Sequence, residues 1–208
     1  MLQFITNTKS AVPVTDQIRE VIAGGGRWIQ IRMKEASDNE IKDVVEKVMP
    51  ICLEKEAFLI LNDRAELAKE LNVGGVHIGK NDMPPSKARV LLGAAAVIGV
   101  TANTTADINA VRYLDIDYIG LGPYRFTETK DNLAPRLGTE GLRNLTTMMR
   151  ENEIVIPTVA VGGITAGDVE TVMETGVSGI AVSGAIANAK DIAAETNRFL
   201  TLLSNFNK

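Results

Sequence analysis

The sequence predicts an α/β protein, a single (β/α)8 TIM barrel over residues 1–208, and three observations carry that expectation. Short apolar runs recur along the whole chain, turn residues follow the runs, and segments with helical apolar spacing separate them. Eight such units can close into a parallel barrel with no free edge, its strands covered on the outside by helices. A doubly wound open sheet is the alternative. Against it, the first apolar run is followed by Thr6-Asn7-Thr8-Lys9, where that fold commonly carries Gly-x-Gly-x-x-Gly.

In order, strands are expected over 2–5, 28–32, 58–62, 75–78, 97–101, 118–121, 158–161 and 179–183. Helices are expected over 16–23, 38–55, 65–71, 86–92, 105–113, 139–151, 167–174 and 191–203. The clearest is 38–55, where Ile41, Val44, Val45, Val48 and Met49 fall at i, i+3, i+4, i+7 and i+8 of one face. Asp16, Ser86 and Thr139 stand where N-cap side chains are wanted. Cys52, beside Val48, Met49 and Ile51, reads as core filler.

At 45% hydrophobic and 23% charged residues, the composition is that of a soluble globular protein large enough to bury a full core. A formal net charge of -4 removes any global attraction to nucleic acid or to an anionic membrane surface. One cysteine excludes an intramolecular disulfide framework and fits a reducing, cytoplasmic setting. The first residues lack the basic flank and apolar length of a signal peptide, and no stretch has the length of a membrane span.

In such a barrel the active site forms at the C-terminal ends of the strands. The second strand leads into Gln30-Ile31-Arg32-Met33-Lys34, and strand periodicity puts Gln30, Arg32 and Lys34 on one side, toward the mouth. Two cations and an amide there favour an anionic ligand; the alternative is an internal salt bridge. The third strand ends in Asn62-Asp63-Arg64, and the fourth is followed by Gly79-Lys80-Asn81-Asp82. Coming from adjacent strands, Asp63 and Asp82 can converge on one hard cation and leave positions for phosphate oxygens and water, as Mg2+ requires. Asp82 could instead cap the helix near Ser86.

Gly162-Gly163-Ile164 follows the seventh strand and Val182-Ser183-Gly184-Ala185 ends the eighth. Small residues there expose backbone N–H groups, and a short extra helix completes the usual barrel phosphate site. The segment 122–138 is a long loop bracketed by Gly-Pro, Ala-Pro and Leu-Gly turns, and it carries Thr127, Thr129 and Lys130. Long loops of this kind either bind something or are disordered. Arg32, Lys34 and Lys130 with a two-carboxylate metal site suit a diphosphate, while the loops after the seventh and eighth strands suit a separate monophosphate. Two phosphorylated substrates are implied. His77, the only histidine, reads as a hydrogen-bonded structural residue. With one distant cysteine beside it, nucleophilic triads and histidine-rich metal sites are excluded.

Gln-x-Arg-x-Lys (30–34), Asn-Asp-Arg (62–64), His-x-Gly-x-x-Asp (77–82), Gly-Pro with Thr-x-Thr-Lys (122–130), Gly-Gly-Ile (162–164) and Val-Ser-x-Ala-Ile (182–186) together resemble the thiamine phosphate synthase family. These motifs occur in family order across nearly the whole chain. The resemblance implies a magnesium-dependent transferase that joins an aminomethylpyrimidine methyl diphosphate to a hydroxyethyl methylthiazole phosphate and releases diphosphate. It implies that Gln30, Arg32, Lys34, Asn62, Thr101 and Lys130 hold the pyrimidine diphosphate. Of these, Arg32, Lys34, Thr101 and Lys130 would carry catalysis. Asp63 and Asp82 would bind magnesium, and Thr127, Thr129, Gly162, Gly163, Val182 and Ser183 would hold the thiazole phosphate. Thr127 and Thr129 are expected to face that phosphate, with Lys130 reaching the diphosphate as the loop closes over both. The partners are then small molecules, with no nucleic acid and no membrane, and a homo-oligomer is left open.

The chain departs from the family pattern at three places. Thr101-Ala-Asn103 stands where members commonly read Ser-x-His, Lys80 replaces a common glutamine, and Arg125-Phe126 replaces a common Phe-Pro. The related thiazole tautomerases depend on acid–base chemistry by a histidine at the position of Asn103, which counts against that alternative. A non-catalytic sensor of phosphorylated ligands would keep the glycine loops but would not need Asp63, Asp82, Arg32 and Lys34 together. Decarboxylase and epimerase barrels need a lysine–aspartate or metal–histidine set that these motifs do not supply.

Overall fold

The computed structural model describes residues 1–125 and 136–206. Apolar runs rich in β-branched residues form eight strands: β1 (Leu2–Ile5), β2 (Trp28–Ile31), β3 (Phe58–Asn62), β4 (Gly75–Ile78), β5 (Val97–Ala102), β6 (Tyr118–Leu121), β7 (Thr158–Val161) and β8 (Gly179–Val182). All neighbours are parallel and consecutive. β8 returns to β1 through Leu2↔Ile180 and Phe4↔Val182, which closes the barrel. Closure satisfies every strand edge, so the site-bearing loops sit on a rigid ring.

The helices are α1 (Val14–Ala23), α2 (Asp38–Glu54), α3 (Ala65–Glu70), α4 (Pro85–Leu92), α5 (Thr105–Val111), α6 (Gly138–Glu151), α7 (Val169–Met173), α8 (Gly184–Ala187) and α9 (Ile192–Ser204). The face of α2 picked out by spacing is the buried one: Ile41, Val45, Val48 and Cys52 are within 3% of full burial. A 3-10 turn, Ala166–Asp168, replaces the start of the helix expected over 167–174. The short extra helix expected after the eighth strand is α8. No described helix is long and apolar enough to cross a membrane.

Three expected N-caps are corrected. Asp16 and Ser86 lie inside α1 and α4, whose N-cap positions are Pro13 and Pro84. Proline pre-sets φ for a helix start and lacks an N–H that would go unsatisfied there. Thr139 lies inside α6, behind Leu137 and Gly138. Side-chain caps occur instead at Ser37 with Glu40, Thr104 with Asp107, and Asp191.

Strand alternation divides the core into two. Ile29, Ile31, Ile98, Ile119 and Phe199 belong to the large layer between barrel and helices. Inside the barrel, Ile60, Tyr118, Val159 and Ala181 form a smaller cluster with Trp28, Phe58 and Val97 against it. The Trp28 and Tyr118 rings meet edge to face at 4.9 Å. Gly99 makes this possible, because a Cβ there would fall 2.0 Å from Tyr118 Cζ.

Candidate active site

Above the apolar plug, the barrel interior turns polar. Gln30 Nε2 donates to Gln3 Oε1 at 3.2 Å, and Gln3 Nε2 donates to Tyr118 Oη at 3.0 Å. Tyr118 Oη lies 2.8 Å from His77 Nδ1, and His77 Nε2 lies 2.9 Å from Thr101 Oγ1. Burial pushes the Tyr118 phenol well above its ordinary value, and the hydrogen bonds from Gln3 and Gln30 only partly offset this. The phenol therefore stays neutral. One orientation satisfies the whole chain: Tyr118 accepts from Gln3 and donates to Nδ1, and His77 donates from Nε2 to Thr101. The Thr101 hydroxyl hydrogen is then available to a bound molecule. His77 is the hydrogen-bonded residue expected from sequence, and its direction is inward. Gln3 and Tyr118 escaped the sequence reading; their signal was a polar atom at an inward position of an apolar strand.

At the next strand ends two carboxylates gather over Gly79. Gly79 N–H donates to Asp82 Oδ2 at 2.8 Å, and a Cβ on Gly79 would lie 2.6 Å from that oxygen and 3.8 Å from Asp63 Oδ1. Asp63 is held in the left-handed region at φ 65, its N–H bonded to the His77 carbonyl at 2.8 Å. Burial, then the hydrogen bond and charge of Asp82, push the Asp63 carboxyl above the usual carboxylate range, while Lys34 and Asn62 pull it down. The N-cap alternative for Asp82 does not hold, because α4 begins at Pro85 and Asp82 turns back to Gly79.

Lys34 Nζ stands 3.5 Å from Asp63 Oδ2, so the internal salt bridge weighed as the alternative is present. The expected alternation stops where β2 stops, at Ile31. Arg32 consequently lines the interior of the barrel mouth, whereas Lys34 lines an outer groove of about 520 Å³ with Asn62, Asp63, Arg64 and Asp38. Asn62 borders both the groove and the interior. Arg64 holds the segment that carries Lys34: its guanidinium donates to the Ala36 carbonyl at 2.7 Å and pairs with Asp38.

A second cavity, of about 470 Å³, opens between the ends of β1, β7 and β8. Gly162, Gly163, Thr165 and Ser183 line it, with Asn7, Lys9 and Arg32 opposite as polar or cationic partners. Gly162 sits at φ 107, and a Cβ there would lie 2.8 Å from Pro123 Cα, so only glycine fits. Lys9, which ends the Thr6-Asn7-Thr8-Lys9 stretch after β1, is a further cation at this cavity that no motif in the sequence marks. Val182 is 2% exposed in the outer core, which leaves only its backbone for a ligand. Thr127, Thr129 and Lys130 lie outside the described residues.

The departures now have partners. Asn103 Nδ2 donates to the Gly122 carbonyl at the end of β6. Lys80 turns away from the carboxylate pair and binds Asp107 Oδ2 at 2.6 Å. Arg125 forms a two-pronged ion pair with Asp168, at 2.6 and 2.5 Å.

The arrangement offers a carboxylate pair with an adjacent cation at one side of the mouth, a cavity of about 470 Å³ lined by Gly162, Gly163 and Ser183 at the other, and a neutral hydrogen-bonding floor between them. Among the described residues no group of three or more His, Cys, Asp or Glu side chains forms a metal cluster. The Asp63–Asp82 pair nevertheless fits a hard divalent cation, since two crowded carboxylates, with the Asp63 carboxyl pushed up by burial and by its neighbour, are what such an ion relieves.

Comparison with known proteins finds similarity over nearly the whole chain. The family model described as thiamine monophosphate synthase matches residues 2–186. The thiamine-phosphate synthase of Bacteroides fragilis is 50% identical over 201 residues, covering 97% of this chain and 98% of the relative. That of Bacteroides thetaiotaomicron is 49% identical, covering 97% and 96%. Among solved structures, a thiamine phosphate pyrophosphorylase from Pyrococcus furiosus superposes with a TM-score of 0.88 at 28% identity, covering 100% of this chain and 96% of that one.

Proposed function

From the premise that the chain belongs to the thiamine monophosphate synthase family, we propose how its strand ends divide the work of condensation. The reaction joins 4-amino-2-methyl-5-(diphosphooxymethyl)pyrimidine to 4-methyl-5-(2-phosphooxyethyl)thiazole, or to its carboxylated form with additional loss of carbon dioxide, giving thiamine phosphate and diphosphate. The bond from the pyrimidine methylene carbon to oxygen breaks, and its electron pair leaves with the diphosphate. The thiazole nitrogen then forms the new bond with its own lone pair. That nitrogen has no proton to lose, so the site needs no general base, and charge at its rim is supplied by cations and carboxylates.

The observation that carries this division is the Asp63–Asp82 pair beside Lys34, set apart from a second cavity lined by Gly162, Gly163 and Ser183. In this reading Lys34, Asn62 and Arg32 hold the pyrimidine diphosphate, with Lys130 joining them. Asp63 and Asp82 hold Mg2+, which when bound supplies positive charge to the diphosphate oxygens. Gln30 and Thr101, fixed by the Gln3–Tyr118–His77 chain, orient the pyrimidine. Gly162, Gly163, Ser183 and the Val182 backbone hold the thiazole phosphate, with Thr127 and Thr129; Arg32 and Lys9 lie near enough to share its charge. The enzyme acts in the cytoplasm.

Asn103 disfavours the tautomerase reading, since its amide is committed to the Gly122 carbonyl and cannot move protons as a histidine does. The deciding experiment incubates the purified protein with both heterocycles and magnesium. Thiamine phosphate and diphosphate should appear in equal amounts. Ligand binding without turnover would favour a sensor, and diphosphate without thiamine phosphate would point to hydrolysis.

A further inference from the structure

The Arg125–Asp168 pair joins two segments that the reaction assigns to different tasks. Arg125 follows β6 at the start of the long loop, and Asp168 belongs to the turn after β7. Asp168 is 7% exposed and already occupied, since its Oδ2 accepts from Thr165 N at 2.9 Å and from Thr165 Oγ1 at 2.7 Å. The guanidinium adds two charge-assisted bonds to the same carboxylate, and planar two-pronged pairing fixes direction as well as distance. Arg125 also stacks its guanidinium 5.1 Å from the Tyr124 ring centroid, which limits its freedom further.

Backbone bonds run beside the ion pair. Tyr124 N–H donates to the Val161 carbonyl at 2.9 Å, and Arg125 N–H donates to the Gly162 carbonyl at 2.9 Å. In a trans peptide C=O and N–H point in opposite directions, so holding the Gly162 carbonyl turns the Gly163 N–H to the other side of that peptide. Gly163 and Thr165 line the 470 Å³ cavity. Gly162 and Gly163 both have positive φ and the widest conformational freedom of any residue, so this turn depends on the contacts its neighbours make. The side-chain pair adds a directional restraint to those backbone bonds and to the Thr165–Asp168 cap.

We propose that Arg125 is a positioning residue for the acceptor phosphate: its ion pair with Asp168 locks the 162–165 turn against the end of β6 and preorganises the glycine N–H groups. The inference rests on the condensation assigned above and gives a role to a residue that departs from the family pattern. Arg125 does not itself line the cavity, so it acts on affinity through the turn rather than by touching phosphate.

Steady-state kinetics of the full chain test this with Arg125→Gln, Arg125→Lys and the double variant Arg125→Gln/Asp168→Asn. Arg125→Gln should raise KM for the thiazole phosphate about tenfold, the scale of a lost charge-assisted bond, and leave kcat and the KM for the pyrimidine diphosphate unchanged. Arg125→Lys, which keeps the charge but not the fork, should recover part of that loss. The double variant should be no worse than Arg125→Gln. Calorimetric binding of the thiazole phosphate alone should show the same order. An unchanged acceptor KM in Arg125→Gln, an equal rise for both substrates, or no rescue by lysine would overturn the proposal. Absence of turnover in the unmodified protein would overturn the condensation instead, and the calorimetric series would still decide the role of Arg125.

Discussion

Asp63 lies directly against Asp82 over Gly79, and Lys34 Nζ stands 3.5 Å from Asp63. Two adjacent carboxylates beside a half-exposed ammonium repel one another when both are charged, which makes the metal-free state costly at neutral pH. The folded pKa of Asp63 is raised above its unfolded value. Its contribution to stability is therefore present below the unfolded pKa and lost as pH rises through the folded one.

Replacing Asp63 by Asn should raise the melting temperature of the metal-free protein near neutral pH by about 3 °C. The gain should shrink as the pH falls into the carboxylate range. Added magnesium should stabilise the unmodified protein and leave Asp63→Asn unmoved. Thermal scans with and without magnesium at two pH values check both statements.

The floor of the site depends on a buried phenol. Tyr118→Phe leaves the ring and its contact with Trp28 but deprives Gln3 and His77 of their partner. Urea denaturation should show a loss of about 1–3 kcal/mol. A raised KM for the pyrimidine diphosphate is the expected functional mark, because the Thr101 hydroxyl loses its fixed direction.

Packing gives a sharper stability prediction. Gly99→Ala would place a methyl 2.0 Å from Tyr118 Cζ, a distance no rotamer change of the new residue can relieve. Destabilisation of about 3 kcal/mol or more is expected in the same denaturation assay.

Asp168 gives the opposite pH signature to Asp63. Burial acts to raise its carboxyl, but bonds from Thr165 and the Arg125 charge together hold it below the usual range. Stability from this group is present above the unfolded pKa, about 3.9 for a free aspartate, and lost as pH falls through the depressed folded value. Asp168→Asn should be less stable than the unmodified protein at neutral pH, and the gap should close under acid below about pH 4. A gap that persists unchanged to strong acid would count against the ion pair as its source.

The barrel was legible because both of its periodicities are written in apolar residues, as on the face of α2 carrying Ile41, Val45 and Val48. The convergence of Asp63 and Asp82 was legible from strand adjacency alone. Helix starts at Pro13 and Pro84 were not, because a good capping residue two or three positions later gives an equally strong local signal. Lys34 was placed with Gln30 by extending alternation past Ile31, where the strand ends and the rule stops applying. The Gln3–Tyr118–His77 chain and the Arg125–Asp168 pair join residues far apart in sequence, and no local pattern specifies such partners.

The central claim is that Asp63 and Asp82 together hold the cation that neutralises the departing diphosphate. The most direct measurement is the initial rate of thiamine phosphate formation against magnesium concentration for the unmodified protein, Asp63→Asn and Asp82→Asn. The unmodified protein should show a saturable requirement for magnesium, and each variant should lose on the order of 100-fold or more in rate at saturating substrate. Full activity after chelation, or an undiminished rate in either variant, would contradict the account.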